Sequence, residues 1–392
     1  MANTLTLTGL TELIYAAKDI VAAEPCAFVN SVTVNSGTEG VSVNGTVSSF
    51  KTSQPSVDSS AFVPSMTLPS AQDLTVTTDT MTLDQTARVS ISLNGETLRQ
   101  LDHTAGRDNV INNLIAQGIR GLRNTIEAHV GLVAARGASR VTGTAATTPF
   151  ASNQNSVNAA RQILFDNGCA VNDGQISLVL NSNASTNLRN LTNLYRVNES
   201  GNDALLRKGT LLDISGIMLK ESAGVASPTA GAMASATSTS AAFTVGQTVI
   251  PLATAGTGVV AAGDIVSFAN DTNAYVVSSV SFAGANPASG DSITLAQPGL
   301  QKAQGVATRA ITVTATAARN VMFHKSAMEL AMRPISLPGG RDAGEHSTFT
   351  DEKSGLVFDA GLYLGDGLAT LRFMTLYKAK VWKPEFVTSI LG

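Results

Sequence analysis

Histidines, cysteines and neighbouring carboxylates are the residues from which this chain could build a catalytic or metal centre. None of the four histidines is spaced from another histidine, a cysteine or a carboxylate as metal ligands usually are. They are His103, His129, His324 and His346. The pattern therefore favours histidines that pack in the interior or lie at the surface.

Two cysteines and one pair of adjacent carboxylates are the remaining candidates. Cys26 and Cys169 lie far apart, which indicates two buried free thiols of a protein made in a reducing cytoplasm. Asp351 and Glu352 are adjacent, and a charged loop explains them better than an acid/base pair. The sequence contains neither a Walker-type phosphate loop nor a GxSxG nucleophile motif. We therefore expect no enzyme activity, no cofactor and no bound metal.

The charge balance gives no bulk attraction to nucleic acid, because 26 basic and 29 acidic residues leave a net charge of −3. Charged residues make up 14% of the chain and aromatic residues 5%, and both fractions are low. Such a composition is typical of surfaces covered by other copies, although a secreted β-rich protein has a similar one. Charges interrupt the amino-terminal segment and no apolar run could span a bilayer, so we expect cytosolic synthesis and no membrane partner.

A long amphipathic helix is the element around which the rest of the chain is predicted to fold. Arg107–Arg136 has apolar residues at three- and four-residue steps and would extend over about 45 Å. Its glycines, Gly118, Gly121 and Gly131, each weaken the isolated helix by about 1 kcal/mol, so tertiary packing must stabilise it. The predicted buried stripe consists of Ile111, Leu114, Ile115, Ile119, Leu122, Ile126, Val130 and Val133.

Two elements precede this spine helix. Residues 10–21 have helical spacing, and this short helix either packs on its own domain or docks on a neighbouring subunit or an assembly partner. From Phe28 to Arg88, short alternating stretches flank a long polar segment, which predicts an extended hairpin with a poorly packed tip. Ordering such a segment costs entropy, so the tip is either disordered or covered by another molecule. A strand containing Val89, Ile91 and Leu93 then leads to the spine.

Alternating helices and strands follow the spine and indicate a compact α+β or α/β lobe. We predict strands at Ile176–Leu180 and Leu211–Leu219 and a helix at Ala184–Tyr195. After a linker that begins at Gly224, short β runs between residues 243 and 295 predict an inserted small all-β barrel or sandwich.

The last part of the chain is predicted to complete the earlier lobe. We expect Ile311–Val313 to resume that lobe and a helix to cover His324–Met332, ending at the Arg333-Pro334 step. A turn-rich loop follows. Gly355–Leu364 and Ala369–Val381, joined by Gly365-Asp366-Gly367, predict a closing hairpin.

This order of elements resembles the Hong Kong 97-type major capsid (coat) proteins of tailed bacteriophages. The sharpest local match is NVMFHKSAMELAMRP at Asn320–Pro334, and Val89–Val130 is similar to their extended-loop exit and spine helix. AAGDIVSF, YVVSSV and GDSITLAQP are similar to the strand-turn rhythm of the β-barrel insertion in coat proteins of short-tailed Salmonella-type phages. The resemblance implies an α+β fold with a terminal arm, an extended loop, a spine helix, and peripheral and axial domains.

The resemblance divides the chain into six segments. Residues 1–30 would form the arm, 31–88 the extended loop with its flanking strands, and 89–150 the peripheral domain with the spine. Residues 151–223 would form the axial lobe, 224–308 the inserted barrel, and 309–392 the return to both domains.

The same resemblance implies a function and a set of partners. Copies would form hexamers and pentamers of an icosahedral shell, assembled with a scaffolding protein and a portal protein. The shell would enclose double-stranded DNA without sequence-specific binding and expand as DNA enters, with cement proteins on its outside as an optional addition. Gly118, Gly121 and Gly131 are the candidate points at which the spine bends.

Candidate contact residues also follow from the resemblance. Glu12, Lys18 and Asp19 of the arm are candidates for scaffold contacts, and the barrel loop with Asn270, Asp271 and Asn273 for intersubunit contacts. Lys51 falls in the extended loop, where some relatives cross-link a lysine to an asparagine of a neighbour. Neither the partner asparagine nor the required carboxylate can be assigned, which favours a solvated lysine or an ordinary intersubunit ion pair.

Two other classes of protein fit parts of the pattern. An encapsulin-like cargo shell has the same fold, but the long extended loop and the insertion favour a phage coat protein. A phage tail, fibre or adhesin protein matches the Ser, Thr and Ala content, whereas the spine helix and the absence of a signal peptide argue against it.

Overall fold

The computed structural model describes residues 7–22, 26–36, 41–52, 66, 73, 76–102, 107–191, 213–254, 256–284, 286–337, 344–351 and 354–392. His103, Gly106, Glu352 and most of the predicted polar segment of the extended loop lie outside these ranges. The described helices are α1 (Leu7–Ala22), α2 (Gly95–Asp102), α3 (Arg107–Arg136), α4 (Asn155–Asp166) and α5 (Ser182–Arg189).

The predicted spine helix is confirmed as α3, with the predicted bounds. Ile111, Ile115, Ile126 and Val130 are buried, as the apolar spacing indicated. Leu114 is 43% exposed, because a helix of 3.6 residues per turn places it at the edge of the stripe. The short helix α1 packs on its own domain through Leu10, Ile14, Ala17 and Val21, all buried with the spine residues in one core.

A peripheral sheet covers the spine. Its strands are β1 (Thr33–Asn35), β4 (Gln85–Asn94), β15 (Met328–Arg333), β16 (Glu345–Thr350), β17 (Val357–Leu364) and β18 (Leu368–Val381). Their order is β1-β15-β18-β17-β16, and β4 pairs with β18 over its whole length. Ala87 and Leu93 of β4 are buried in the core shared with α3, whereas Arg88 and Ser90 between them are exposed. The predicted closing hairpin is confirmed as β17 and β18.

The extended hairpin is also confirmed at its base. Strand β2 (Thr46–Thr52) pairs antiparallel with β3 (Val76–Thr82), from Thr46 opposite Thr82 to Thr52 opposite Val76. Within the described residues, these two strands form a sheet of their own, separate from the larger sheets.

The mixed lobe predicted after the spine, here called the axial lobe, is a sheet flanked by α4 and α5. Its strands are β5 (Arg140–Thr142), β6 (Ile176–Leu180), β7 (Met218–Glu221), β14 (Arg319–His324) and β19 (Val387–Leu391). The predicted strand at Ile176–Leu180 is confirmed. The helix predicted at Ala184–Tyr195 is observed at Ser182–Arg189, and residues 192–212 lie outside the described part. The strand predicted at Leu211–Leu219 is observed later, at Met218–Glu221.

The inserted β domain is confirmed as a closed barrel. Its strands are β8 (Ala236–Ser238), β9 (Val249–Thr254), β10 (Ile265–Phe268), β11 (Ala274–Ser281), β12 (Ser292–Leu295) and β13 (Ala310–Val313). In the described residues they follow the order β10-β13-β8-β9-β12-β11, and β11 pairs with β10 to close the ring. The barrel has its own core around Ile250, Phe268, Tyr275 and Ile293.

Two sequence-based predictions near the barrel exit are wrong. Ile311–Val313 does not resume the axial lobe, because β13 pairs with β10 and β8 and so belongs to the barrel. The helix predicted at His324–Met332 is absent from this described segment: β14 ends at His324, Lys325–Ala327 form a 3-10 turn, and β15 follows. Met328–Arg333 consists largely of good helix formers, yet pairing with β18 and β1 overrides this propensity.

The barrel and the axial lobe are parts of one sheet. Strand β5 pairs antiparallel with β11 of the barrel and parallel with β19 of the lobe. Because β5 comes four residues after the spine, this strand connects spine, lobe and barrel at one place.

Candidate assembly surfaces and buried anchors

Within the described residues, the contacts that anchor the extended hairpin lie near its base. Met81 and Leu83 are buried against Ala331, Leu376 and Trp382. Ion pairs join Lys380 to Asp79, and Lys378 to Asp84 with Nζ 2.8 Å from Oδ1. The hydrogen bond from Lys378 holds the pKa of the Asp84 carboxyl below its usual range.

Beyond this base the hairpin presents apolar side chains to solvent. Phe50 is 74% exposed, and Val76 is exposed on the same face, since Phe50 lies opposite Thr78. An isolated two-stranded ribbon is marginal in water, so this part of the molecule is suited to bind another chain. Lys51 lies in β2 opposite Thr77, and its side chain is outside the described structure, so the prediction for Lys51 stays a prediction.

The predicted arm residues of α1 differ in exposure. Glu12 and Asp19 are exposed, together with Tyr15. The Lys18 side chain is only 11% exposed, and its Nζ donates to the carbonyl of Thr350 at 3.4 Å. The Glu12 carboxylate is therefore available to a partner, whereas Lys18 contacts the peripheral sheet and its Nζ lies 4.0 Å from Asp19.

The predicted contact loop of the barrel is held in place by hydrogen bonds within the loop and from neighbouring side chains. Asp271 accepts hydrogen bonds from the Tyr275 hydroxyl at 2.8 Å and from the backbone N–H of Asn273 at 3.0 Å. Asn273 Oδ1 accepts from Arg140 at 3.4 Å, and Lys302 Nζ donates to the carbonyl of Asn270 at 2.6 Å. Asn270 is exposed and has a left-handed backbone with φ 68°. The loop is thus rigid, and Asn270 is the member most open to a neighbour.

The spine glycines differ in their surroundings. A Cβ at Gly121 would meet nothing within 4 Å, and one at Gly118 would lie 3.1 Å from a methyl carbon of Val89. A Cβ at Gly131 would overlap the carbonyl oxygen of Gly224 and lie 3.0 Å from the ring of Phe28. Gly131 is therefore required for close packing, whereas Gly121 is free of such a requirement.

A buried carboxylate in the spine holds two distant segments, and no sequence prediction included it. Glu127 accepts hydrogen bonds from the backbone N–H groups of Phe28 and Val29 at 2.9 and 3.0 Å, and from the Ser222 hydroxyl at 2.7 Å. Arg123, one turn earlier, donates to the carbonyl of Val21. Arg123 and Glu127 directly follow the stripe residues Leu122 and Ile126 but lie outside the predicted stripe, so the apolar spacing did not predict their burial.

Two buried arginines connect the barrel to its surroundings. Arg319 is 3% exposed and donates to the carbonyl of Ala135 at 3.1 Å, in the last turn of the spine, and to that of Gly263 at 2.5 Å, in the barrel. Burial lowers the pKa of Arg319 to about 10. Arg140 links Asn273 of the barrel to Asn167 after α4, at 3.4 and 3.1 Å. The barrel is therefore braced on both the spine and the axial lobe.

Folding brings histidines next to carboxylates that are distant in sequence. His324 Nε2 lies 2.7 Å from Asp173, and its Nδ1 lies 2.8 Å from the Ser326 hydroxyl. This set has the composition of a hydrolytic triad, but the backbone N–H of Ser326 also donates to Nδ1, so His324 caps the 3-10 turn. The hydrogen bond from His324 lowers the pKa of Asp173.

The other described histidines are packed against tyrosines. His346 lies 3.1 Å from Asp359 and 3.3 Å from the Tyr363 hydroxyl. His129 of the spine meets Tyr377 edge-on, with ring centroids 5.2 Å apart. These contacts agree with packing roles. Within the described residues, no group of three metal-ligating side chains occurs.

Both cysteines are buried and free, as predicted. Burial raises the pKa of each thiol to about 11. In the described part of the chain, no helix has the length and apolar character needed to cross a lipid bilayer.

Solved structures similar to this chain over its whole length come from viruses and virus-like particles. A chain from Mycobacterium phage Che8 is 15% identical, with a TM-score of 0.48 over 93% of this chain and 90% of that one. The capsid of cyanophage P-SCSP1u is 11% identical, with a TM-score of 0.49 over 92% and 86%. A virus-like particle from Pyrococcus furiosus is 7% identical, with a TM-score of 0.43 over 97% and 98%. No family model and no curated protein matches the chain. At such values these similarities assign no roles to residues.

Proposed function

We propose that this chain is the major capsid protein of a tailed bacteriophage, with the Hong Kong 97-type fold, and that its copies form the icosahedral shell around double-stranded DNA. The proposal rests on the hairpin β2–β3, which extends away from a subunit whose core is complete and which exposes Phe50. A ribbon anchored only at its base requires a second surface, and a neighbouring copy supplies that surface in a shell.

The rest of the architecture supports the same proposal. The spine and the sheet that covers it form the peripheral domain, and the lobe with α4, α5 and β6 forms the axial domain at the capsomer centre. The closed barrel is the insertion, as in the coat proteins of short-tailed Salmonella-type phages. Buried Arg319 and Arg140 support a bracing role for this insertion.

The partners follow from the assembly of such a shell. Copies form hexamers and pentamers, a scaffolding protein contacts the exposed face of α1 with Glu12 and Asp19, and a portal protein occupies one vertex. The loop with Asn270 contacts a neighbouring capsomer, and cement proteins are an optional addition outside. The low charge supports enclosure of DNA without specific binding, so the protein resides in the virion.

Electron microscopy of the purified chain, expressed alone and with its candidate scaffolding protein, tests this proposal. We expect closed shells, or capsomer rings that close only with the partner. A monodisperse monomer under both conditions would contradict the proposal and favour a tail or adhesin protein. Shells that enclose a protein cargo and never a portal would favour an encapsulin-like function.

Substitution of Phe50 makes the test specific to the hairpin. Phe50→Asp places a charge at a 74% exposed position, so the subunit should fold normally but assemble poorly. Phe50→Leu is the matched control, because it keeps apolar surface at the same site and should assemble. Equal assembly of both variants would show that the exposed ring is not an intersubunit contact.

A further inference from the structure

The face of the peripheral sheet opposite the spine carries a cluster of hydrogen-bond donors. Alternate residues of β4 and β18, among them Val89 and Phe373, pack towards the spine. Their neighbours along each strand face the other way, because side chains alternate across a sheet. The outward residues that line one shallow concavity are Arg88, Ser90, Tyr363, Thr370 and Arg372.

The strand register brings two guanidinium groups together in this concavity. Arg372 lies directly opposite Ser90, and Arg88 lies opposite Met374, so the two arginines are diagonal neighbours on adjacent strands. Thr370 lies opposite Tyr363 on the other side of β18. Every lining side chain carries an N–H or O–H donor, and no carboxylate lines the concavity in the described structure.

No hydrogen bond or ion pair among the described residues involves Arg88 or Arg372, although the charge of Arg372 acts on the nearby Asp359 carboxylate and opposes the rise of its pKa. The carboxylate on the same face, Asp359, is 4% exposed and is engaged by His346 at 3.1 Å. Burial raises the pKa of Asp359, and the hydrogen bond from His346 opposes that effect. Two adjacent arginines are thus left for an external anion.

A carboxylate fits this concavity better than the phosphates of a nucleic acid. Paired guanidinium groups bind either oxyanion in a bidentate manner. Proteins that bind DNA through its backbone typically make about 6–10 phosphate contacts, whereas this face offers two arginines and contains the Asp359 carboxylate.

The same sheet presents two exposed carboxylates at its end. Glu96 and Asp366 are both exposed, and the backbone N–H of Gly95 donates to the carbonyl of Gly367 at 3.0 Å, which holds the start of α2 next to the turn between β17 and β18. Strand β4 ends at Asn94, four residues and about 13 Å beyond Ser90, and Glu96 follows two residues later in the first turn of α2. One copy therefore carries both a basic concavity and an acidic corner on one domain, an arrangement suited to contacts between identical copies.

We propose that the concavity of Arg88 and Arg372 binds the acidic corner of Glu96 and Asp366 from a second copy of this chain. This intersubunit ion-pair site rests on the proposed function, since it forms when copies assemble.

Charge exchange tests this site. Arg372→Glu should raise the critical concentration for shell assembly about tenfold, because a like-charge contact replaces an ion pair. Arg372→Glu combined with Asp366→Arg in the same chain should restore assembly towards the wild-type value. Lys325→Glu is the matched control, because it makes the same charge change at an exposed lysine outside the concavity, and it should leave assembly unchanged.

The outcomes separate this inference from the proposed function. Wild-type chains that form no shells would overturn the proposed function and this site with it. If the wild type forms shells and Arg372→Glu assembles equally well, the site alone is overturned. The site is also overturned if the Arg372→Glu shells form normally but retain less DNA, because the arginines would then bind phosphate. If circular dichroism shows that Arg372→Glu does not fold, Arg372→Gln replaces it. The critical concentration for assembly should then rise more steeply with NaCl concentration for the wild type than for Arg372→Gln. Equal salt dependence of the two critical concentrations would refute the site.

Discussion

Alanine substitutions at two glycines of the spine helix test how tightly residues 220–226 pack on it. At Gly131 the new methyl group would overlap the carbonyl oxygen of Gly224 and lie 3.0 Å from the Phe28 ring. The carbonyl is backbone and cannot rotate away, so the segment or the helix must shift. At Gly121 the same methyl group would meet nothing within 4 Å.

The two substitutions should therefore change stability in opposite directions. Alanine in place of glycine stabilises a helix interior by about 1 kcal/mol, and this gain is common to both variants. Overpacking costs about 1–3 kcal/mol or more at Gly131 alone. Gly121→Ala should stabilise the subunit by up to about 1 kcal/mol. Gly131→Ala should destabilise it by up to about 2 kcal/mol, because the overlap with a backbone carbonyl puts the packing cost at the upper end of its range.

Urea unfolding of the unassembled subunit, followed by circular dichroism, measures this difference. The unfolding midpoints should rank Gly121→Ala above wild type and wild type above Gly131→Ala. Gly118→Ala should lie near wild type, because the methyl group 3.1 Å away belongs to the side chain of Val89, which can move. Equal midpoints for Gly121→Ala and Gly131→Ala would refute the close approach of Gly224 to the spine.

Three further predictions concern buried ionisable groups. Glu127→Gln should lower the free energy of unfolding by about 2 kcal/mol, because an amide cannot accept all three hydrogen bonds that the carboxylate accepts; an unchanged urea midpoint would contradict this. Burial lowers the pKa of His129 in the folded subunit. Below about pH 6.5 the unfolded chain therefore binds a proton at His129 that the folded chain does not, so the free energy of unfolding falls as the pH drops towards the folded pKa. His129→Phe should make the thermal midpoint less dependent on pH between about 6.5 and 5, and an unchanged dependence would exclude His129 as its source. Burial raises the thiol pKa of Cys26 to about 11, so iodoacetamide at pH 8 should modify it only after unfolding, and rapid labelling of the folded subunit in mass spectrometry would show that the site is open.

The proposed bending of the spine can be examined with the same variants. Gly121 has open surroundings, so Gly121→Ala stiffens the helix without disturbing its contacts. If the spine bends there during shell expansion, shells of this variant should expand more slowly than wild-type shells. Identical expansion would leave Gly118 as the remaining candidate, because Gly131 is held by packing.

Local sequence patterns were sufficient to predict the elements whose buried residues recur at regular intervals along the chain. The spine has a long helical stripe, and the closing hairpin has alternating strands around a glycine turn, so both were predicted at or near their observed bounds. The barrel was predicted from its short strands and turns. Its last strand was not, because Ala310–Val313 has no feature that distinguishes a barrel strand from a lobe strand.

The candidate site could be predicted only in part. The tip of the hairpin was expected to be either disordered or covered by another molecule, and the exposed Phe50 of β2 supports contact with another molecule nearer the base. The scaffold and capsomer contacts stay predictions. The arginine concavity on the peripheral sheet was not foreseen, since Arg88 and Arg372 are brought together only by the pairing of β4 with β18.

The sequence by itself determined the α+β class, the spine, the hairpin base and the inserted β domain, because each depends on the periodicity of neighbouring residues. Only the tertiary structure decided that Met328–Arg333 is a strand, that Glu127 holds Phe28 and Ser222, and that His324 meets Asp173. These features depend on partners far away in the chain. Hydrogen bonds and sheet pairing with such partners outweigh local propensities of less than about 1 kcal/mol per residue, so no local pattern could reveal them.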